Sequence, residues 1–187
     1  MLTRDFFNRP TMKVARDMLG AVLIHNSPAG KTAGIIVETE AYLQGDPACH
    51  ASRGKTRRNA AMFGPPGTAY IYLVYGIHCC FNTVTMPTGT GEAVLVRALE
   101  PLEGLELMKR RRGIADVKGL CSGPGRLCQA MGLDRQYNGM NLSSPSLYIQ
   151  QGAVPESIVT TTRVGISQGQ QLPYRFYIAG NRWISRK

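Results

Sequence analysis

Several features that would assign a compartment at once are missing from this sequence of 187 residues. No segment approaches the ~18 uninterrupted apolar residues that a transmembrane helix needs. The N-terminal residues Met-Leu-Thr-Arg-Asp-Phe-Phe lack the basic and then apolar layout of a secretory signal peptide. These absences argue against a membrane-spanning or secreted protein. We therefore expect a soluble intracellular protein, found in the cytoplasm or nucleoid, or in a nucleus.

Cysteine and histidine are present, but not in patterns that imply bridging or metal binding. The five cysteines are odd in number, and no pair has Cys-x-x-Cys spacing, so the sequence indicates neither a disulfide framework nor a zinc site. The three histidines are scattered along the chain. We predict no metal and no cofactor.

Acidic residues are few relative to basic ones. Twelve Asp and Glu face 22 Lys and Arg, which gives a formal net charge of +10 and a pI near 9.7. Such a charge favours a polyanionic partner, most often nucleic acid, or else an anionic membrane surface. A hydrophobic content of 43% is ordinary for a globular protein, and the length suits one domain over residues 1–187.

Strand patterns outnumber helix patterns along the chain. Runs of β-branched and aromatic residues predict strands over 21–25, 34–42, 92–99, 146–150, 159–166 and 174–179, and a hairpin over 67–84 with Tyr75-Gly76 at its tip. Apolar residues at helical spacing predict helices that follow Pro10, span 101–112, and run from Cys121 to Gly132. The expected fold is α+β, with a curved, largely antiparallel sheet, flanking helices and a protruding hairpin.

The strand over 34–42 carries the first chemical feature. Side chains alternate along a strand, so Ile36, Glu38, Glu40 and Tyr42 are predicted to share a face. A carboxylate beside an aromatic ring suits a site that holds a planar ring and activates water. The alternative is a solvent-facing Glu near a strand end with Tyr on the rim of the core, and this segment alone favours that alternative.

Basic residues cluster in a long polar loop over 43–61, with four cations at Arg53, Lys55, Arg57 and Arg58. A loop of this length is usually functional or disordered, and nothing structural requires these charges, which favours phosphate contact. By contrast, the basic run over 109–112 at a helix C-terminus is explained by the helix dipole. At the start of the helix after Cys121, free N–H groups beside Arg126 could meet an anion, or Ser122 could cap the helix.

Three further residues stand out by position. Tyr75 lies at a hairpin tip, where no core can bury it, so it is a candidate wedge for a base stack. Arg97 lies within an apolar strand and needs a partner, either a carboxylate such as Glu40 or a bound phosphate. Asn82, also in an apolar strand, needs hydrogen bonds or a ligand, and for a lone Asn internal hydrogen bonds are the usual answer.

Taken together, the motifs closely resemble the alkyladenine (3-methyladenine) DNA glycosylase family, in the same order and over nearly the whole chain. The matching segments are Glu38-Thr-Glu-Ala-Tyr42, His50, Arg58-Asn59-x-x-Met62-Phe63, Gly67-Thr-x-Tyr70-x-Tyr72-x-x-Tyr75-Gly76, Asn82, Val94-Leu-x-Arg97-Ala-Leu-Glu-Pro101 and Cys121-Ser-Gly-Pro124.

The resemblance implies a DNA repair enzyme that flips a damaged purine out of the duplex. In such enzymes the residue matching Glu40 activates the attacking water, with help from the one matching Arg97. The flipped base lies between rings that match Tyr42 on one side and His50 with Tyr72 on the other. The residue matching Tyr75 fills the gap in the DNA, and the one matching Asn82 excludes normal guanine.

The resemblance also implies the reaction and the partner. The partner is double-stranded DNA with damaged purines such as 3-methyladenine and 7-methylguanine, and some members take hypoxanthine and ethenoadenine. No lysine stands beside Glu40 in the pocket motifs, so we expect a monofunctional glycosylase without a lyase step. We also expect a monomer. The segment over 113–120 is short, which puts DNA contacts there in question.

Two other kinds of function remain open at this point. The chain could be a non-catalytic nucleic-acid-binding module that uses its basic surface and its aromatic hairpin. It could also hydrolyse free nucleosides, although such an enzyme would have little use for a net charge of +10 or for Tyr75. A Glu40→Gln variant separates the first alternative from a glycosylase.

Overall fold

A curled antiparallel sheet of eight strands forms the frame of the computed structural model, which describes residues 1–186. The strands are β1 Val22–Ser27, β2 Gly30–Tyr42, β3 Ala69–Val74, β4 His78–Val84, β5 Ala93–Glu103, β6 Leu147–Gln150, β7 Ile158–Thr161 and β8 Arg175–Ile178. The α-helices are α1 Arg4–Phe7, α2 Thr11–Asp17, α3 Leu105–Arg112 and α4 Pro124–Met131. Three short 3₁₀ segments cover Ala60–Phe63, Val117–Gly119 and Arg135–Tyr137. The α+β prediction is confirmed.

Strand β2 is the axis of the sheet. Along one edge it pairs with β5, and along the other it pairs first with β1 and then with β8. The register with β5 shifts on both sides of Glu38, leaving Val37 without a partner in that pairing. A bulge of this kind interrupts the alternation of side chains and bends the strand. Simple alternation predicted that Ile36 shares a face with Glu38. Because of the bulge, Ile36 instead packs in the main core.

The core lies between the sheet and the helices α2 and α4. Fully buried side chains from both layers meet there, among them Val14 and Met18 near α2, Leu127 and Met131 on α4, and Phe81 on β4. A second, smaller cluster joins the loop after β2 to strands β3 to β5, and Tyr42 and Tyr72 pack against it. This second cluster supports the aromatic wall of the site described below.

Several predicted boundaries are wrong, and of the two alternatives for the start of the helix after Cys121, capping by Ser122 is not observed. The helix predicted from Pro101 begins only at Leu105, because Pro101–Glu103 continue β5 against β2 and Gly104 then turns the chain at φ +79°. The strand predicted to reach Ile166 ends at Thr161. Ser122 does not cap α4, since its hydroxyl accepts a hydrogen bond from the Arg126 guanidinium and the N-cap residue is a glycine.

The predicted hairpin over 67–84 is confirmed. Strands β3 and β4 pair from Ala69 with Thr83 to Val74 with His78. Among residues 1–186, no helix combines the length and apolarity needed to cross a bilayer.

Candidate active site

Two carboxylates on β2 are completely buried. Glu38 and Glu40 are both 0% exposed, and both contact the guanidinium of Arg97 on β5. Of the two partners expected for Arg97, a carboxylate or a phosphate, the structure shows the carboxylate. The alternative of a solvent-facing Glu40 at a strand end is wrong, because its side chain is fully buried.

The Glu40 carboxylate receives hydrogen bonds from both sides. Tyr42 donates its hydroxyl to Oε2 at 2.8 Å, and the backbone N–H of Val164 donates to Oε1 at 2.8 Å. Arg97 Nη1 lies 3.3 Å from Oε1. These three groups fix the orientation of the carboxylate, because each oxygen has its own donor.

Burial and polar contacts act in opposite directions on the pKa of Glu40. Loss of solvent is the largest cause and raises the pKa above its usual value, and the neighbouring charge of Glu38 adds to the rise. Arg97, the Val164 N–H and the Tyr42 hydroxyl lower the pKa but do not offset burial. Burial next to Glu40 also raises the pKa of Tyr42, so its hydroxyl keeps its proton and remains a donor.

Aromatic side chains form the wall beside these carboxylates. The rings of His50 and Tyr72 meet edge to face with centroids 4.4 Å apart, and Tyr70 and Tyr72 lie 5.4 Å apart. His50 Nδ1 lies 2.8 Å from the Tyr70 hydroxyl. Desolvation, and to a lesser extent the charge of Arg58, lower the pKa of His50, so His50 is neutral at pH 7. The edge of the wall is therefore uncharged.

Three adjoining cavities share the rings of Tyr42 and Tyr72. The widest, of about 470 Å³, extends over Arg97, Val164 and the start of α4. A second, of about 380 Å³, runs toward His50. The third, lined by Tyr42, His50 and Tyr72, is only about 20 Å³, which is room for one water molecule.

Glu40 lies directly behind this cleft. Its three partners, Tyr42, Arg97 and Val164, all line the widest cavity, whereas Glu40 itself is unexposed. The contact with Arg97 is the longest of the three.

A buried ion pair between Arg163 and Asp46 packs against the ring of Tyr42. The guanidinium carbon of Arg163 lies 4.7 Å from the centre of the Tyr42 ring, within the range of a cation–π contact. Arg163 is itself buried, pairs with both oxygens of Asp46 and donates to the backbone oxygen of Ala41. Tyr42 is thus held in place by a buried charge pair, in addition to its bond with Glu40.

Asn82 faces the narrow cavity from β4. Its side-chain N–H₂ group donates to the backbone oxygens of Tyr70 at 3.0 Å and Cys80 at 3.3 Å. The expected internal hydrogen bonds are therefore present, and they fix the orientation of the amide at the narrow cavity.

The tip of the β3–β4 hairpin protrudes from the sheet. Tyr75 is 91% exposed and adopts φ +53°, next to Gly76 at φ +75°. Positive φ at successive residues matches the right-handed twist of a hairpin, but it is unfavourable for a bulky side chain. Tyr75 also lines the widest cavity. The ring therefore stands exposed beside the cleft, on a backbone conformation that suits the turn but not a bulky side chain.

Comparison with known proteins places the chain in a family. Residues 5–182 match the family model described as methylpurine-DNA glycosylase. The chain belongs to the methylpurine-DNA glycosylase family.

Relatives within this glycosylase family match over essentially full length. Proteins of Methanoculleus marisnigri and Carboxydothermus hydrogenoformans are 52% and 49% identical to this chain; each match covers 100% of this chain and 99% and 100% of the relative. A protein of Nitrosospira multiformis is 48% identical over 96% of this chain and 91% of its own. All three are provisionally named 3-methyladenine DNA glycosylases.

In this glycosylase, the structure brings most of the predicted pocket residues together. Glu40 and Arg97 are in contact, and Tyr42, His50, Tyr72 and Asn82 surround the narrow cavity. The four arginines predicted to contact DNA are all exposed, but they are spread over the surface. They are Arg53 beside the second cavity, Arg126 beside the widest one, Arg58, which donates to the Leu73 backbone oxygen, and Arg57.

Several residues at the site are absent from the sequence-based prediction. Val164 binds Glu40 through its backbone, so no side-chain pattern could reveal it. Arg163 and Arg175 lie far along the chain from their partners Asp46 and Glu38. A signal did exist for Glu38 and Asp46, since a buried carboxylate requires a cation. The sequence does not say which cation.

Proposed function

We propose that this glycosylase flips an alkylated purine out of duplex DNA and hydrolyses its N-glycosidic bond. The bases are 3-methyladenine and 7-methylguanine, with the deaminated base hypoxanthine and ethenoadenine as further candidates. The product is an abasic site. The proposal rests above all on one observation: a buried carboxylate, Glu40, stands immediately behind a cleft whose wall carries Tyr42 and Arg97.

In the proposed reaction, Glu40 acts as the general base. Breaking an N-glycosidic bond builds positive charge on the sugar, and a buried carboxylate both stabilises that charge and takes a proton from water. Arg97 lies between Glu40 and the open cleft, so it can hold the water against the carboxylate. General-base assistance supplies about 10²–10⁴-fold, and the rest must come from electrostatics and from the leaving group.

The leaving group explains the choice of substrate. Alkylated purines already carry positive charge, so they depart readily. Flipping costs a few kcal/mol and costs least for a damaged or mispaired base, while stacking on aromatic rings returns about 1–3 kcal/mol per base. Tyr42 on one side and Tyr72 with His50 on the other supply those rings. Because His50 is neutral at pH 7, it does not repel a cationic base.

Contacts with the duplex come from the exposed residues. Tyr75 takes the place of the extruded base, since its ring projects from the hairpin beside the cleft. Arg53, Arg57, Arg58 and Arg126 are proposed to meet phosphates. A formal net charge of +10 supports strong, salt-sensitive binding to a polyanion.

The proposed reaction stops at the abasic site. A lyase step needs an amine that forms a Schiff base with the sugar. Among the residues that line the three adjoining cavities, within the described part of the chain, there is no lysine. Asn82, fixed against the strand backbone, is proposed to help exclude the exocyclic amino group of normal guanine. 7-Methylguanine carries the same amino group, and its positively charged, readily departing base offsets that cost.

The test is base release from duplexes that each carry one defined lesion. We expect release of 3-methyladenine and 7-methylguanine, and strand breaks only after hot alkali. Breaks without alkali, or covalent trapping by borohydride, would show a lyase. Binding to lesion DNA without any base release would instead support the non-catalytic module, and equal activity on free nucleosides would support a nucleoside hydrolase.

A further inference from the structure

A second buried carboxylate stands behind the first, and the proposed chemistry does not use it. Glu38 is as buried as Glu40, yet it lines none of the three cavities described above. Its Oε1 lies 2.7 Å from Arg175 Nε and 3.4 Å from Arg97 Nε. A buried charge that is not at the reacting centre needs an explanation, because its desolvation is costly.

Arg97 joins the two carboxylates. Its Nη1 faces Glu40 at 3.3 Å and donates to the Val164 backbone oxygen at 3.3 Å. Its Nε faces Glu38 and the hydroxyl of Ser185, both at 3.4 Å. Because the guanidinium is planar and rigid, the contacts of Nε with Glu38 and Ser185 direct Nη1 toward Glu40.

The far end is held by the last described segment of the chain. Ser185 donates its backbone N–H to Glu38 Oε2 at 2.6 Å and its hydroxyl to Oε1 at 3.0 Å. Arg175 Nη2 donates to the backbone oxygen of Arg186. The segment is also held at its start, where Asn181 donates to Glu100 at 3.3 Å. Both oxygens of Glu38 are thus occupied.

The charges explain why Arg175 is needed. Alone, Glu38 would compete with Glu40 for Arg97 and would repel the charge of Glu40. Arg175 makes the shorter contact with Glu38, 2.7 Å against 3.4 Å for Arg97. Arg175 therefore balances most of the Glu38 charge, and the charge of Arg97 remains available to Glu40.

We propose that Glu38, held by Arg175 and Ser185, is a positioning residue that fixes Arg97 against Glu40. The inference rests on the proposed function, since it concerns the same reaction. It gives the segment over 181–186 a part in catalysis, although that segment lies outside the cleft wall formed by Tyr42, Arg97 and Val164.

The charged and titratable groups around Glu40 come from several elements. They are Glu38 and Tyr42 on β2, Tyr72 on β3, Cys80 on β4, Arg97 on β5 and Arg163 in the loop after β7, with Arg175 on β8 behind Glu38. Within this set, the charged groups that do not line the widest cavity are Glu38, Arg163 and Arg175. Of these, Glu38 and Arg175 form the ion pair behind Arg97, so they are the two to change.

The test compares Glu38→Gln with Arg175→Gln in single-turnover excision across pH. Removing the negative charge of Glu38 favours ionised Glu40, so the acid limb of the rate profile should move to lower pH. Removing the positive charge of Arg175 should move that limb to higher pH. Both variants should lose about 10- to 100-fold in plateau rate, because Arg97 is displaced, while the Kd for lesion DNA stays within about threefold.

A third variant, Ser185→Ala, keeps every charge. It tests the inference even if the loss of a buried charge in Glu38→Gln or Arg175→Gln prevents folding. Losing the hydroxyl contacts should lower the plateau rate about fivefold and leave the acid limb in place. The control is Thr11→Val, which removes buried hydrogen bonds to Thr85 and Glu92 but touches none of the groups above. It should lower Tm without changing the plateau rate or the pH profile.

The inference is overturned if Glu38→Gln and Arg175→Gln lower Tm but keep the parental plateau and limb, or if their limbs move in the same direction. It is also overturned if all the variants, Thr11→Val included, lose rate in proportion to stability. If the parental protein releases no base from any lesion, the proposed function fails instead, and the two failures are therefore distinguishable.

Discussion

Replacing Glu40 with Gln should slow base release by orders of magnitude while preserving the fold and the binding of lesion DNA. The structure allows this isosteric exchange. The new amide oxygen can take the place of Oε1, where it accepts from Val164 and Arg97. The amide N–H₂ then faces the Tyr42 hydroxyl, which accepts as readily as it donates. Every contact of the wall keeps a partner.

The expected losses follow from these contacts. General-base assistance is worth about 10²–10⁴-fold, so the single-turnover rate should fall by that factor, which corresponds to about 3–5 kcal/mol of barrier. Stability should not fall, because the buried charge of Glu40 is itself unfavourable: burial is the largest cause of its raised pKa. The Kd for lesion duplex should stay within about threefold.

The assay is single-turnover release of 7-methylguanine from a duplex, alongside a melting curve and a binding titration. The matched control is Glu103→Gln, which makes the same change on β5 at an exposed salt bridge with Lys31. It should leave the rate unchanged. A Glu40→Gln rate within tenfold of the parental rate, in a protein that still melts normally, would refute the role of Glu40 as general base.

Three more predictions concern the hairpin, pH and salt. Tyr75→Gly should leave Tm unchanged or raise it, because the residue is exposed and at positive φ, yet it should slow excision from duplex more than from single strands; equal slowing on both would contradict the wedge. Because the pKa of Glu40 is raised by burial and the base must be ionised, the excision rate should rise with pH through that pKa. A rate that does not change between pH 4 and pH 8 would argue against Glu40 as the general base. The logarithm of duplex affinity should fall linearly with the logarithm of salt concentration. An affinity that does not depend on salt would refute the proposed phosphate contacts.

Local features of the sequence were sufficient for much of the fold. Tyr75-Gly76 between two apolar runs predicted a hairpin tip, and the tip lies there. Pro101 shows the limit of such reasoning: it resembles a helix start, but its strand continues because β2 is long enough to pair with it. The outcome depended on Gly34, the partner of Pro101 and 67 residues earlier in the chain, which local propensity does not register.

The site, too, could be predicted from local sequence only in part. From the sequence, Arg97 was expected to need an anionic partner, either a carboxylate such as Glu40 or a phosphate, since a buried cation in an apolar strand requires an anion. The residues that complete the site come from the last part of the chain, over 163–186, where the sequence shows no motif. Val164 contributes a backbone group, and Ser185 is a small polar residue in a polar tail. Their roles arise from chain topology, which carries β8 and its flanking loops over β2.

The opposing effects on Glu40 also bear on how such a base can function. A carboxylate with three donors and no burial would have a low pKa and would be a weak base, whereas a buried carboxylate without donors would hold its proton. The best general base has a pKa near the working pH. Here burial and Glu38 raise the pKa, while Arg97, Val164 and Tyr42 limit the rise. Those same three partners also form the wall of the cleft. A nucleobase that displaces any of them as it enters the cleft would therefore change the pKa of Glu40 at the moment that water is needed.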